Sequence, residues 1–196
     1  AGTPISARPY GLLRRHGEPD DLKNFFILHE GMVRMTDGEL EETGYDDITE
    51  YEIDPRERTQ AERLDVTESG WIGYTDHYWM TTLIPEQGVP FRSTSKYFDS
   101  RDLYQAEAVM PIETVAAGDI ATVTTRLFAG AKEWEEIRHY EDEEGVGGFL
   151  DSIDWGWFFF LTKPIFALLH YLNIFIGNMG WSILALTVIL KIIVLP

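Results

Sequence analysis

Apolar and polar positions over residues 1–130 fall into short runs rich in Thr, Tyr, Phe, Val and Ile, at about 4–15, 24–35, 69–84, 91–98, 102–110 and 119–128. Turn-forming residues separate them: GEPD at 17–20, Asp37-Gly38, PEQG at 85–88 and AGD at 117–119. Runs of this kind, bounded by such residues, predict strands. In the last run Ala121, Val123, Thr125 and Leu127 alternate with Thr122, Thr124 and Arg126, the two-residue period of a strand with one buried face. No long helical pattern lies between the runs. The expected fold is mainly β, an antiparallel β-sandwich over 1–130 rather than an α/β sheet.

After Gly130 the period changes. Trp134, Ile137 and Tyr140 are spaced by three with Glu and Arg between them, which predicts a short amphipathic helix packed on the sheet or bridging from it. Gly145, Gly147 and Gly148 predict a flexible joint, completing a segment 131–154. The block at 153–178, IDWGWFFFLTKPIFALLHYLNIFIGN, is dense in aromatics. Its proline, Pro164, kinks a helix interior or sits in a first turn; with Thr162 as N-cap it occupies the second helical position. Lys163, Ala167, His170 and Asn173 then form a narrow polar stripe, and Phe166, Leu168, Leu169, Leu172 and Ile174 cover much of the rest. This suits an amphipathic helix over 155–177 lying in a membrane interface, with Trp155, Trp157 and Tyr171 at headgroup level. The rival topology is a span, since residues 155–176 are mostly apolar and long enough for ~30 Å of hydrocarbon. Lys163 and Pro164 argue for the interface.

Gly177-Asn178-Met179-Gly180 interrupts the pattern, and a last apolar run follows over 181–195 with only Ser182, Thr187 and Lys191 as polar side chains. As a helix it measures about 22 Å, short of a span. It is expected to be re-entrant, or the start of a transmembrane helix over 178–196 that continues beyond Pro196. Gly180, Leu184, Thr187 and Lys191 share one helical stripe. With the helix starting at one interface, Lys191 lies about 16 Å deep. A lysine there costs on the order of 3 kcal/mol in lipid, unless it snorkels to headgroups or faces a wet cavity. Both readings are open on spacing alone.

Charge sharpens the division near residue 150. The stretch 151–196 holds two Asp and two Lys, so the whole formal charge of −17 falls on 1–150. Such a field repels nucleic acid phosphates and anionic headgroups, and nucleic acid binding is not expected. There is no cysteine, which excludes disulfides, thiol catalysis and thiolate metal sites. The start, AGTPISARPY, is no secretory signal and reads like a chain entered partway along.

Candidate chemistry in the acidic part is thin. Asp46, Asp47, Asp76 and Glu86 offer carboxylates for glycoside cleavage, but no spacing fixes a pair. Glu39 to Glu42 and Glu141 to Glu144 lack calcium-loop spacing, and the five histidines form no zinc motif. No nucleophile elbow or phosphate-binding glycine loop occurs. Trp71, Tyr74, Tyr78 and Trp79 could line a ligand groove, although sheet packing is the commoner use of such side chains. No cofactor, metal site or catalytic residue is expected.

The order Gly70-Trp71-Ile72-Gly73-Tyr74-Thr75-Asp76-His77-Tyr78-Trp79, then LIPEQG, RLFAGAKEWEEI, IDWGWFFFLTKPIF and GNMGWSILALTVILKIIVLP, resembles the YidC family of bacterial membrane protein insertases. The ending is the most specific part: Gly-Asn-x-Gly, an apolar run, a basic residue, and proline five residues later. The resemblance implies that residues 1–154 are periplasmic, with 1–130 the later part of a β-sandwich of supersandwich type, followed by an interfacial helix and the beginning of a second transmembrane helix, in an inner-membrane protein with a five-helix core. The first membrane helix and the last four would lie outside this chain.

The resemblance also implies a role for the ending. The position matching Lys191 faces a hydrophilic groove that receives nascent membrane proteins, alone or with the Sec translocon, without nucleotide hydrolysis. Many relatives carry arginine there; lysine keeps the charge and lacks the planar fork of donors. Lys191 and Thr187 are the expected groove residues, and Trp155, Trp157, Phe166, Leu169, Leu172 and Trp181 the expected contacts with the lipid bilayer. Two other classes stand beside the insertase: a membrane-tethered periplasmic binding module for glycan or protein, and a sugar-active enzyme.

Overall fold

Pro9 cannot donate to a strand ladder, so the first apolar run is cut in two. Its halves are β1 (Ile5–Ala7) and β2 (Tyr10–His16). The computed structural model describes residues 2–19, 29–155 and 159–195. The strand expected at 24–35 is seen as β3 (Gly31–Thr36), its first part lying outside the described residues. There follow β4 (Glu39–Gly44), a short helix α1 (Tyr45–Thr49), β5 (Ile53–Asp54), β6 (Thr59–Val66), β7 (Gly70–Thr75), β8 (Trp79–Pro85), β9 (Phe91–Phe98), β10 (Leu103–Val109), β11 (Glu113–Val115) and β12 (Thr125–Ala131). Helix α2 (Trp134–Asp142), a 3-10 turn at Phe149–Ser152, α3 (Phe159–Ile176) and α4 (Met179–Val194) complete the chain.

The strands form two five-stranded antiparallel sheets, β2-β10-β9-β6-β5 and β12-β8-β7-β3-β4, with β1 and β11 as a separate ribbon. The expected mainly β, antiparallel architecture is the one found. Met32, Ile72, Tyr74 and Leu83 of one sheet meet Val66, Phe91, Tyr104 and Ala106 of the other. The far face of the β7 sheet is covered as well: Val33, Met35, Trp71, Met80 and Phe128 pack under Ile137 of α2, Val146 and Phe149. A strand covered on both faces has no polar side, which is why GWIGYT is buried along its whole length. At its centre Gly73 allows the close approach of β8, because a Cβ there would lie 2.0 Å from the carbonyl oxygen of Thr81.

Several expectations change. The segment at 145–149 is no flexible joint: Val146 and Phe149 are fully buried, and Trp71 Nε1 donates to the Gly147 carbonyl at 3.2 Å. The strand expected over 119–128 begins only at Thr125, whose partner is Pro85, the last residue of β8. Residues 119–124 have no strand to pair with, Ile120 and Val123 are exposed, and the buried apolar side chain of β12 is Phe128 rather than Leu127. Strands β4 and β6 escape the apolar pattern because they are rich in charged residues, several of which are paired. Arg34, fully buried, reaches Glu41 of β4 at 2.5 Å and also Glu62 of β6, which joins the two sheets. Arg63 of β6 lies 3.6 Å from Asp54 and 3.5 Å from Glu57.

The chain divides into two compact units, Ala1–Asp154 and Trp155–Pro196. In the second, Thr162 is not an N-cap. Helix α3 already includes Phe159, Pro164 lies inside it, and the Thr162 hydroxyl donates to the Trp155 carbonyl at 2.9 Å. Pro164 deletes the bond that would run back to the carbonyl of residue 160. Among the described residues no helix is long and apolar enough to cross a membrane.

Candidate functional site

Helix α4 carries the residues expected to act. Gly177, at φ 70°, ends α3 in the left-handed conformation and its N–H closes on the Asn173 carbonyl at 2.8 Å. The next residue, Asn178, is the N-cap of α4: its side-chain oxygen accepts from the Trp181 N–H at 3.2 Å. This two-residue connection lets α4 pack on α3, burying Ser182 and Leu186 and half-burying Ala185, Ile189 and Leu190.

The helical period puts the other stripe on the opposite side. Gly180, Leu184, Thr187 and Lys191 are all exposed, turned away from α3. The structure thus brings Thr187 and Lys191 onto one open face, one turn apart. Both hydroxyls of α4 are satisfied within the helix: Ser182 donates to the Asn178 carbonyl and Thr187 to that of Ile183, each at 2.8 Å. Lys191 stands in the last turn, where a cation complements the helix dipole. It is the sole charged side chain of α4.

The proposed membrane contacts are arranged around α3. Trp155 packs edge-on against Phe166, with ring centroids 5.6 Å apart, and the Lys163 ammonium lies 5.8 Å from the same indole. Leu169 and Leu172 are half-buried, while Trp181 is open at the start of α4. Trp157 lies outside the described residues. The stripe of Lys163, Ala167, His170 and Asn173 is half-buried, and the most exposed positions of the pair are apolar, with Phe175 at 90% and Val194 at 78%. Apolar side chains outside and polar ones partly inside reverse the order of a helix pair built for water. Sequence reading treated Asn178 only as part of a break; its place before an apolar run was the signal of a cap.

The carboxylates of the first unit do not converge. Asp76 is held by Arg15 at 3.1 Å and by the Tyr45 hydroxyl at 3.4 Å, Asp46 and Asp47 sit in the first turn of α1, and Glu86 follows β8 at its other end. Among the described residues no group of three or more His, Cys, Asp or Glu could hold a metal ion. Trp71 and Tyr74 belong to the two cores, whereas Tyr78 and Trp79 are exposed, so the four aromatics do not line one groove.

The first unit is thus a two-sheet antiparallel β domain, and the second a helix pair with an apolar exterior. The family model for the YidC periplasmic domain matches residues 1–168. Membrane protein insertase YidC of Roseobacter denitrificans is 63% identical over 193 residues, which is 98% of this chain and 32% of that protein. Its counterparts in Ruegeria sp. and Paracoccus denitrificans are 59% and 56% identical, over 100% and 98% of the chain and 32% and 30% of their own lengths. The chain belongs to the YidC family, and spans about a third of the length of these relatives.

Proposed function

We propose that this chain is part of a membrane protein insertase of the bacterial inner membrane, with residues 1–154 in the periplasm, 155–177 at the membrane interface and 178–196 entering the bilayer. The observation that carries the reading is the identity of 63% to a protein named as a membrane protein insertase, running through both units. The open stripe of Thr187 and Lys191 supports a groove role, since it sets a polar face on an otherwise apolar helix exterior.

The mechanism is physical. A polar or acidic flank of a nascent membrane protein pays a desolvation penalty on entering hydrocarbon. A cation standing in a wet groove lowers that penalty, and the apolar helix that follows partitions into lipid and supplies the free energy. Neither step consumes a nucleotide, and the Sec translocon can deliver the same substrates to the groove.

Complementation by the full-length protein tests it. Lys191→Arg is expected to support growth fully, Lys191→Ala to slow it, and Lys191→Glu to fail at comparable protein levels. Equal rescue by all three removes Lys191 from the mechanism.

A further inference from the structure

The second unit has an electrostatic sign of its own. Residues 155–196 hold Lys163 and Lys191 and no Asp or Glu, so none of the negative side-chain charge belongs to it. The carboxylate just before it, Asp154, is engaged inside the first unit by the His29 N–H at 3.1 Å. Lys191 stands in the last turn of α4, whereas Lys163 lies near the start of α3. An ammonium on an apolar helix pair, with no carboxylate in its own unit, draws an anion from outside.

Lys163 has a prepared setting. Its neighbour Thr162 donates to the Trp155 carbonyl at 2.9 Å, and the Trp155 ring packs edge-on against Phe166 with centroids 5.6 Å apart. The indole is thereby fixed against the first turns of α3, with the Lys163 ammonium 5.8 Å from its centroid. At that distance the ring attracts the cation and restricts where it reaches. Lys163 is half-buried, the state of a lysine whose stem is covered and whose charge stays at the rim. Phe160, one turn before it, is 67% exposed, as is Phe175 to 90% further along the helix. An ammonium backed by an indole and bordered by open apolar rings matches a phospholipid, with phosphate at the cation and acyl chains on the rings.

We propose that Lys163, backed by Trp155, is a headgroup site for an anionic phospholipid, the ammonium meeting the lipid phosphate. The inference rests on the reading of α3 as a helix at the membrane interface. Charge complementarity names the occupant: a zwitterionic headgroup brings its own cation to the phosphate, and an anionic one does not. A lysine close to an anionic surface confers a preference of about fivefold.

The chain contains no cysteine, so single labels can be placed cleanly. Phe160→Cys and Phe175→Cys are made singly in the full-length protein freed of other cysteines and labelled with a fluorophore. Each is reconstituted into phosphatidylcholine vesicles holding a minor share of phosphatidylglycerol, with a nitroxide on the upper acyl chain of one lipid or the other. At 160 the phosphatidylglycerol nitroxide is expected to quench about fivefold more, per labelled lipid, than the phosphatidylcholine one. At 175, about 22 Å further along α3, no such preference is expected. Lys163→Gln is expected to abolish the preference at 160, Lys163→Arg to keep it and Trp155→Leu to lower it, with far-UV spectra unchanged. Equal quenching of 160 by the two lipids in the wild type overturns the site alone. No quenching at either position overturns the interfacial reading of α3 and the site with it. A preference that survives Lys163→Gln overturns the role of Lys163, and one unchanged in Trp155→Leu overturns the part given to the indole. Loss of the preference on adding inorganic phosphate at constant ionic strength overturns the lipid as occupant in favour of free phosphate.

Discussion

Asp37 shows how much one side chain can organise. With φ 49°, and Gly38 at φ 93°, it forms the two-residue turn between β3 and β4, where positive φ at both central positions matches the strand twist. Its carboxylate also accepts the N–H groups of Glu68, Thr67 and Ser69 and the Thr67 hydroxyl, tying the turn to the loop before β7. These bonds, that from Glu68 foremost, hold its carboxyl well below the usual carboxylate range. A depressed folded-state value means the stabilisation is complete above the ordinary value near ~3.9 and is lost as pH falls toward the folded value. Wild-type stability in urea is therefore expected to fall as pH drops below about 4, and Asp37→Asn, which tolerates positive φ but lacks the charge, to flatten that dependence. Equal slopes for the two proteins would remove Asp37 from the acid response. Asp-Gly was legible in the sequence as a turn; the three N–H partners, about thirty residues away in the chain, were not.

Among the elements, the connection of α3 to α4 depends on two neighbouring residues with different tasks. Gly177 supplies a conformation that costs a side-chain-bearing residue about 1 kcal/mol, and Asn178 caps the helix that follows. Asn178→Ala is expected to lower the stability of the full-length protein in detergent by about 1 kcal/mol, with Asn178→Asp or Asn178→Ser largely restoring it. A loss shared by all three variants would point to contacts other than the cap. The strands were legible in proportion to how few charges stood among their apolar residues. β7, β8, β9 and β10 announce themselves by β-branched and aromatic residues, whereas TQAERLDV of β6 hides its strand under charges neutralised by Arg34, Asp54 and Glu57. The alternation at 121–127 was real as a pattern but found no partner strand before Thr125, so pairing overrode propensity.

For the molecule as a whole, the two compact units meet at Asp154, and the composition changes near residue 150. The glycines at 145–148 misled because local flexibility was inferred without the burial of Val146 and Phe149 that surrounds them. Residues 1–154 expressed alone are expected to give a β-type circular dichroism spectrum and one cooperative thermal transition, because both hydrophobic clusters lie within them. A broad, non-cooperative melt would show that the sandwich needs more chain than this unit supplies. The candidate groove stripe was readable from spacing, since Thr187 and Lys191 follow the helical period. Its direction away from α3 required the packing of Ser182 and Leu186.

The position of Phe149 has a mechanical consequence. It sits fully buried, edge-on to Trp71 at 5.4 Å, five residues before the first unit ends. A pull arriving along the backbone from residue 155 meets this plug before it meets any strand. Under load the covering turn and α2 would peel first, exposing one side of a sheet whose ladders are still intact, so the tether yields like a fuse while the sandwich keeps its shape.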